Sequence, residues 1–194
     1  MALPHPQLPG VESLSSQLTI PPRHNLSSPQ FALPFPLTHF ESKMVELKDG
    51  CVYRVVNMSN HLLLAYGIHQ EIPGCWLTAQ PYADRRYESQ FKAISCPGNK
   101  WKFAVVDKSN LCVGFQGCVS GGLQIIEDGG EGCHTEWAVD HKSGPSLVEI
   151  HTNTDNGEVC WTVPYMGPPG AVIELASPQG RPEQRWKFAM PVEN

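Results

Sequence analysis

The chain has 194 residues, 41% apolar and 17% charged, with 14 Lys and Arg against 19 Asp and Glu. This length suffices for a domain with its own core. The net charge of -5 argues against a protein that tracks a nucleic-acid backbone, which needs clustered cations. No apolar run reaches the 18 residues of a membrane span, so none is expected.

Residues 1–44 read as a proline-rich N-terminal extension, with Pro4, Pro6, Pro9, Pro21, Pro22, Pro29, Pro34 and Pro36 separated by serines and single leucines. Proline removes backbone donors and favours extended conformations, and no period survives. The expectation is a tail that is flexible or docked. Phe31, Phe35, Leu37 and Phe40 supply apolar groups for docking on the domain or on a partner. The opening Met1–Pro6 lacks the charged and apolar regions of a secretion signal. The expectation is therefore a cytoplasmic protein. Its seven cysteines, an odd number, are expected to be reduced, several of them buried.

Residues 45–194 change texture to short runs of β-branched and aromatic residues bounded by turn formers. The first four predicted strands are Cys51–Asn57, His61–Tyr66, Cys75–Gln80 and Gln90–Ile94. Lys102–Asp107 and Leu111–Phe115 restate the opening pair, followed by Leu123–Glu127 and Thr135–Val139. Leu147–His151 and Val159–Val163 restate it again, followed by Ala171–Leu175 and Gln184–Phe188. The intervening turns also match: Asn57–Asn60, Asp107–Asn110 and Thr154–Gly157. The closing aromatics Phe91, Trp137 and Trp186 are 46 and 49 residues apart.

Three units of four strands (about 47–98, 99–144 and 145–194) give an all-β fold with a trefoil count, whereas a propeller needs at least four blades. One unit cannot bury its apolar face alone. The three closing aromatics are therefore expected to pack toward a shared axis.

On these residues the chain resembles the ricin-B-like β-trefoil superfamily, in particular the small cytosolic trefoils of mushrooms, both lectins and mycocypin-type protease inhibitors. The family's closing Gln-x-Trp occurs in full as Gln184-Arg185-Trp186, and in altered form as Gln90-Phe91 and Thr135-Glu136-Trp137. The resemblance implies a binding protein without catalytic activity. It also implies an Asp after the apolar start of each second strand in galactose-binding members. The matching stretches, Leu63-Leu64-Ala65, Cys112-Val113-Gly114 and Cys160-Trp161-Thr162, contain no such Asp.

No phosphate loop, His-Glu-x-x-His or Cys-x-x-Cys pair is present, so no cofactor, metal or catalytic residue is expected. A carbohydrate site needs an aromatic face with amide and carboxylate groups around it. The third unit offers Asp155, Asn156, Trp161, Tyr165 and Glu174, and the first offers Trp76 and Tyr82. By strand alternation one of Cys160 and Trp161 should face outward.

The leading expectation is a lectin-like protein that binds a glycan or glycoprotein. One alternative is a protease inhibitor presenting the loops Gln70–Gly74 and Tyr165–Gly170, with Arg85-Arg86 in a further loop. Another is a non-catalytic subunit or scaffold that binds another protein, a second copy of this chain included.

Overall fold

The computed structural model describes residues 46–70, 72–82, 84–117, 121–141 and 147–191. The proline-rich extension and its aromatics lie outside the described residues, as do Glu71 and Cys118. Among the described residues no helix is long and apolar enough to cross a membrane.

The fold is all-β. The first stretch supplies β1 (Val52–Asn57), β2 (Leu63–Gly67), β3 (Thr78–Gln80), β4 (Tyr87–Glu88) and β5 (Phe91–Cys96). The second supplies β6 (Lys100–Val105), β7 (Lys108–Gln116), β8 (Gln124–Glu127), β9 (Cys133–His134) and β10 (Trp137–Asp140). The third supplies β11 (Glu149–Thr154), β12 (Gly157–Thr162), β13 (Glu174–Ala176) and β14 (Trp186–Ala189), with one 3-10 turn at Pro182–Gln184.

Six strands close into a ring. β1 pairs with β5, β5 with β6, β6 with β10, and β10 with β11. Val148, just before β11, exchanges two backbone hydrogen bonds with Trp186 of β14, at 2.9 and 2.8 Å. β14 then pairs with β1, with Val55 opposite Phe188. A closed ring leaves no sheet edge for another chain to extend. Alternation along β1 sends Tyr53, Val55 and Asn57 inward and leaves the residues between them half-buried.

Three hairpins cap one end of this ring. They share one register: Ala65 lies opposite Thr78, Gly114 opposite Gln124, and Thr162 opposite Glu174. The hairpins are joined by a cycle of backbone bonds. Leu77 N–H donates to Leu123 O at 2.9 Å, Leu123 N–H to Ile173 O at 2.7 Å, and Ile173 N–H to Leu77 O at 2.9 Å. The three side chains are fully buried.

The expected strands Cys75–Gln80 and Ala171–Leu175 are therefore split. Their first halves bond to the next hairpin and only their second halves bond to their own. Gly74 and Gly170, each after a proline and each at positive φ (98° and 92°), donate N–H bonds of 2.7 Å to Ile125 O and Ala79 O. These Pro-Gly pairs latch one hairpin onto the next, and only glycine adopts that backbone without strain.

Two further departures from the expected strands have local causes. The expected turn Asp107–Asn110 is mostly strand, because Lys108 pairs with Val105 across a two-residue turn with Asp107 at φ 66°. Short strands β4 and β9 add to the expected four per unit, lying along the ends of β2 and β7. Phe115 stacks on His134 there, with ring centroids 4.5 Å apart.

The closing aromatics Phe91, Trp137 and Trp186 are fully buried. Their indole N–H groups reach second-strand carbonyls, Trp137 to Val113 at 2.9 Å and Trp186 to Trp161 at 3.0 Å. The polar residue that begins the closing motif is Gln184 in the third unit and Thr135 in the second, and the two find different partners. Gln184 takes the Gln179 N–H and donates to Ser177 O and Thr162 Oγ1. In the second unit Thr135 donates to Asp128 at 2.6 Å, and Lys102 pairs with the other Asp128 oxygen at 2.8 Å.

Burial alone would raise the Asp128 carboxyl, but the hydrogen bonds from Lys102 and Thr135 outweigh it and hold the group below its ordinary range. A depressed carboxyl stabilises the fold fully above its unfolded pKa, about 3.9, and loses that contribution as pH falls through the folded value. Asp128→Asn should therefore unfold at lower urea concentration than the parent at pH 7. The gap between the two midpoints should narrow below about pH 4.

Gly122 sits where β8 crosses against the third hairpin. A Cβ there would lie 2.4 Å from Val172 Cγ1 and 2.6 Å from Ile173 O. Gly122→Ala should cost about 1–3 kcal/mol by overpacking, read as a lower unfolding midpoint in urea.

Candidate functional site

The cap fixes which residues face outward. Leu77, Leu123 and Ile173 point into the core, so their chain neighbours on either side point away from it. Directly opposed residues of an antiparallel pair share a face. Trp76 is opposed to Gln124, Gly122 to Glu174, and Val172 to Thr78. These six positions form a rosette around the hydrogen-bonded triangle. Using strand and cross-strand spacings, it is on the order of 12 Å between opposite Cα positions.

Trp76 dominates this face and is 42% exposed. The edge of its indole lies beside Gly121, where a Cβ would be 3.4 Å from Cη2 and 3.7 Å from Cζ3. A Cβ at Gly121 would make ordinary van der Waals contact with the ring. Gln124 is half-buried and Glu174 exposed, so an amide is directly opposed to the aromatic and a carboxylate lies across the rosette from it. Thr78 is already engaged, donating to Ala65 O at 3.4 Å and accepting from the Gln80 amide at 3.0 Å.

Trp76 and Glu174, expected in separate units, thus share one surface. Gln124 is the residue that strand reading missed. Its pattern within Leu123–Glu127 marks it as outward-facing, but nothing in the sequence places it beside Trp76.

The other expected site residues do not join them. Trp161 is a correction: it is fully buried, with Phe103, Trp137 and Trp186 around it at centroid distances of 5.4, 5.1 and 6.1 Å. Alternation holds on β12, but both of its faces are covered, and Cys160 is fully buried as well. The five residues of β2 are buried in the same way.

Asp155 and Asn156 form the exposed tip of the β11–β12 turn, where Thr154 is opposed to Gly157. Glu174 lies at the other end of β12, opposed to Thr162, and Tyr165 lies beyond it, roughly 17 Å away along the strand. Tyr82 lies past the far end of β3 from Trp76. The Arg54 guanidinium sits 4.5 Å from its ring centroid and donates to its hydroxyl. One face of that ring is therefore taken.

The loop Tyr165–Gly170 divides into two parts. Its Pro-Gly end is the latch on Ala79. Its tip is a turn closed by Gly167 N–H to Pro164 O at 2.7 Å, with Met166 at φ 53°. Tyr165 and Met166 are 77% and 84% exposed. In the Gln70–Gly74 loop, Gly74 is likewise a latch.

Arg86 is held by both oxygens of Asp84, at 3.0 and 2.7 Å. Side-chain and backbone hydrogen bonds from Arg86 lower the Asp84 carboxyl to about 2. Among the described residues no group of three His, Cys, Asp or Glu side chains could hold a metal ion. Cys51, Cys75, Cys96, Cys112 and Cys133 are free thiols. Burial pushes the Cys112 thiol up to about 12, which keeps it protonated and unreactive at neutral pH.

No protein-family model and no curated protein matches the sequence. Solved structures do match. The "Macrolepiota procera ricin B-like lectin (MPL) in complex with lactose" aligns with a TM-score of 0.59 at 15% identity, over 76% of this chain and 100% of that one. A "proteinase inhibitor from Coprinopsis cinerea" aligns with a TM-score of 0.55 at 14% identity, over 75% of this chain and 100% of that one. Cry35Ab1 aligns with a TM-score of 0.57 at 16% identity over 74% of this chain, which spans only 36% of that longer protein. The likeness is one of fold. It shows that these structures share the chain's all-β fold at low sequence identity, and function has to be argued from the site.

The contrast between the two tryptophans is measurable. Trp161→Ala should cost about 3–5 kcal/mol, as for a buried Trp. Trp76→Ala should stay near the roughly 0.5 kcal/mol of surface changes. Denaturant midpoints of the two variants check both.

Proposed function

We propose that this protein is a non-catalytic, lectin-like carbohydrate-binding protein, built as a β-trefoil of three four-stranded repeats, with its site on the hairpin cap. The observation that carries this reading is the half-exposed Trp76, laid beside Gly121 with Gln124 and Glu174 around it. An indole presents a face of negative potential to the C–H groups of a pyranose. The neighbouring amide both donates and accepts, and the carboxylate accepts from hydroxyls. Backbone bonds hold these side chains on three strands of a closed cap, so little order has to be gained on binding.

The fold likeness to a lectin that was solved with lactose supports the reading. The usual galactose contact does not, since the second strands carry no Asp at its expected place. The site proposed here therefore lies at the cap axis and not within one repeat.

A second reading is favoured by one specific observation. Tyr165 and Met166 project from a hydrogen-bonded turn between Pro164 and Pro168. A stiff tip with two exposed apolar side chains suits insertion into the cleft of a partner protein, a protease included. The likeness to a proteinase inhibitor of Coprinopsis cinerea supports this alternative.

A glycan array probed with the parent and with Trp76→Ala separates the readings. Parent binding that Trp76→Ala weakens at least about tenfold, equivalent to roughly 1.4 kcal/mol, is the expected outcome. A folded parent that binds no glycan overturns the carbohydrate reading. Binding unchanged in Trp76→Ala overturns the assignment to the cap.

A further inference from the structure

The charge around the cap is one-sided. The described residues of the three segments that form it, 68–70 with 72–80, 117 with 121–127, and 164–176, contain no Lys or Arg. Their charged residues are Glu127 and Glu174, with His69 as the one further titratable imidazole. Of these, Glu174 belongs to the rosette: it is opposed to Gly122 and diagonal to Gln124, and it is exposed. The rosette also occurs once. Trp76 has Gly122 and Val172 as its counterparts in the other two units, so one aromatic serves the whole face.

We infer that the cap binds one uncharged glycan per chain, on the axis of the Leu77–Leu123–Ile173 triangle, and that Glu174 makes it reject anionic glycans. This rests on the carbohydrate reading above and adds the substrate class and the stoichiometry.

The physical reason is direct. A sialic acid carboxylate or a sulfate seated beside Trp76 meets a carboxylate across the rosette and finds no cation in the cap segments to neutralise it. At separations of roughly 7–12 Å, repulsion between unit charges corresponds to about twofold to fiftyfold in affinity, depending on distance and on how much water lies between them. Salt at about 1 M shortens the screening length to about 3 Å and should erase most of that penalty. A neutral hexose or N-acetylhexosamine meets no such penalty, and its hydroxyls can donate to Glu174 while Gln124 supplies an amide. Opposite Cα positions on the order of 12 Å apart leave room for a mono- or disaccharide.

The test uses the full chain on an array of matched pairs, each neutral oligosaccharide printed beside its sialylated and sulfated forms. The expected result is a neutral-to-anionic preference of about tenfold. Glu174→Gln should narrow it to within about threefold by raising the anionic signal. Asp107→Asn removes the same charge from the β6–β7 turn, at the other end of β7 from the cap, and should leave the preference unchanged. Isothermal titration with the best neutral glycan should give close to one site per chain.

Equal binding of neutral and anionic partners by the parent overturns the inference while leaving the carbohydrate reading intact. So does a preference that Glu174→Gln does not narrow, or a stoichiometry of two or three sites per chain. A folded parent that binds no glycan at all overturns both.

Discussion

Three backbone hydrogen bonds in a cycle hold the cap together. Leu77 donates to Leu123, Leu123 to Ile173, and Ile173 to Leu77. Each residue is both donor and acceptor, so none of the three hairpins can be placed without the other two. The cycle lets the strands meet at an axis without an exposed edge. It also fixes side-chain direction. Once the three apolar side chains fill the axis from inside, alternation turns Trp76, Thr78, Gly122, Gln124, Val172 and Glu174 outward. The candidate site is thus a by-product of closing the fold.

The core makes a second demand, on the second strands. β2 and β12 run between the six-stranded ring and the cap, and side chains on both of their faces are covered. This is why Trp161 and its neighbour Cys160 are both buried. Trp161 joins Trp137 and Trp186 in edge-on ring contacts, the arrangement that aromatic quadrupoles favour. Each closing Trp also spends its N–H on a second-strand carbonyl. The closing motif survives as a role and not as a sequence. Gln184 and the Asp128–Thr135 pair each tie a loop to the start of a closing strand by different atoms, and in the first unit Glu88 accepts from the adjacent Ser89 and Gln90 N–H groups.

Asymmetry within this frame is where function has room to arise. The same register position holds Trp in one unit, Gly in the next and Val in the third. The Gly is forced by close approach of the third hairpin, and its neighbour Gly121 lies beside the indole of another unit. Charge follows the same logic, with acidic residues on the cap segments and the lysines and arginines elsewhere.

The sequence by itself determined the local chemistry. Alternation and turn residues placed most of the strands, the threefold spacing of Phe91, Trp137 and Trp186 indicated a shared core, and the Pro-Gly pairs marked the loop ends. Each of these signals acts over a few residues or recurs at a fixed interval, so it can be read along one chain. Only the tertiary structure decided which side of a strand met solvent when both sides were covered, and so removed Trp161 from the surface. Only the structure separated Asp155 and Asn156 from Tyr165 by the length of β12, and laid Arg54 over Tyr82. Above all it brought Trp76, Gln124 and Glu174 together, residues far apart in sequence and contributed by three different units. Their meeting depends on hydrogen bonds between hairpins, and no pattern within a single hairpin encodes which neighbour it will join.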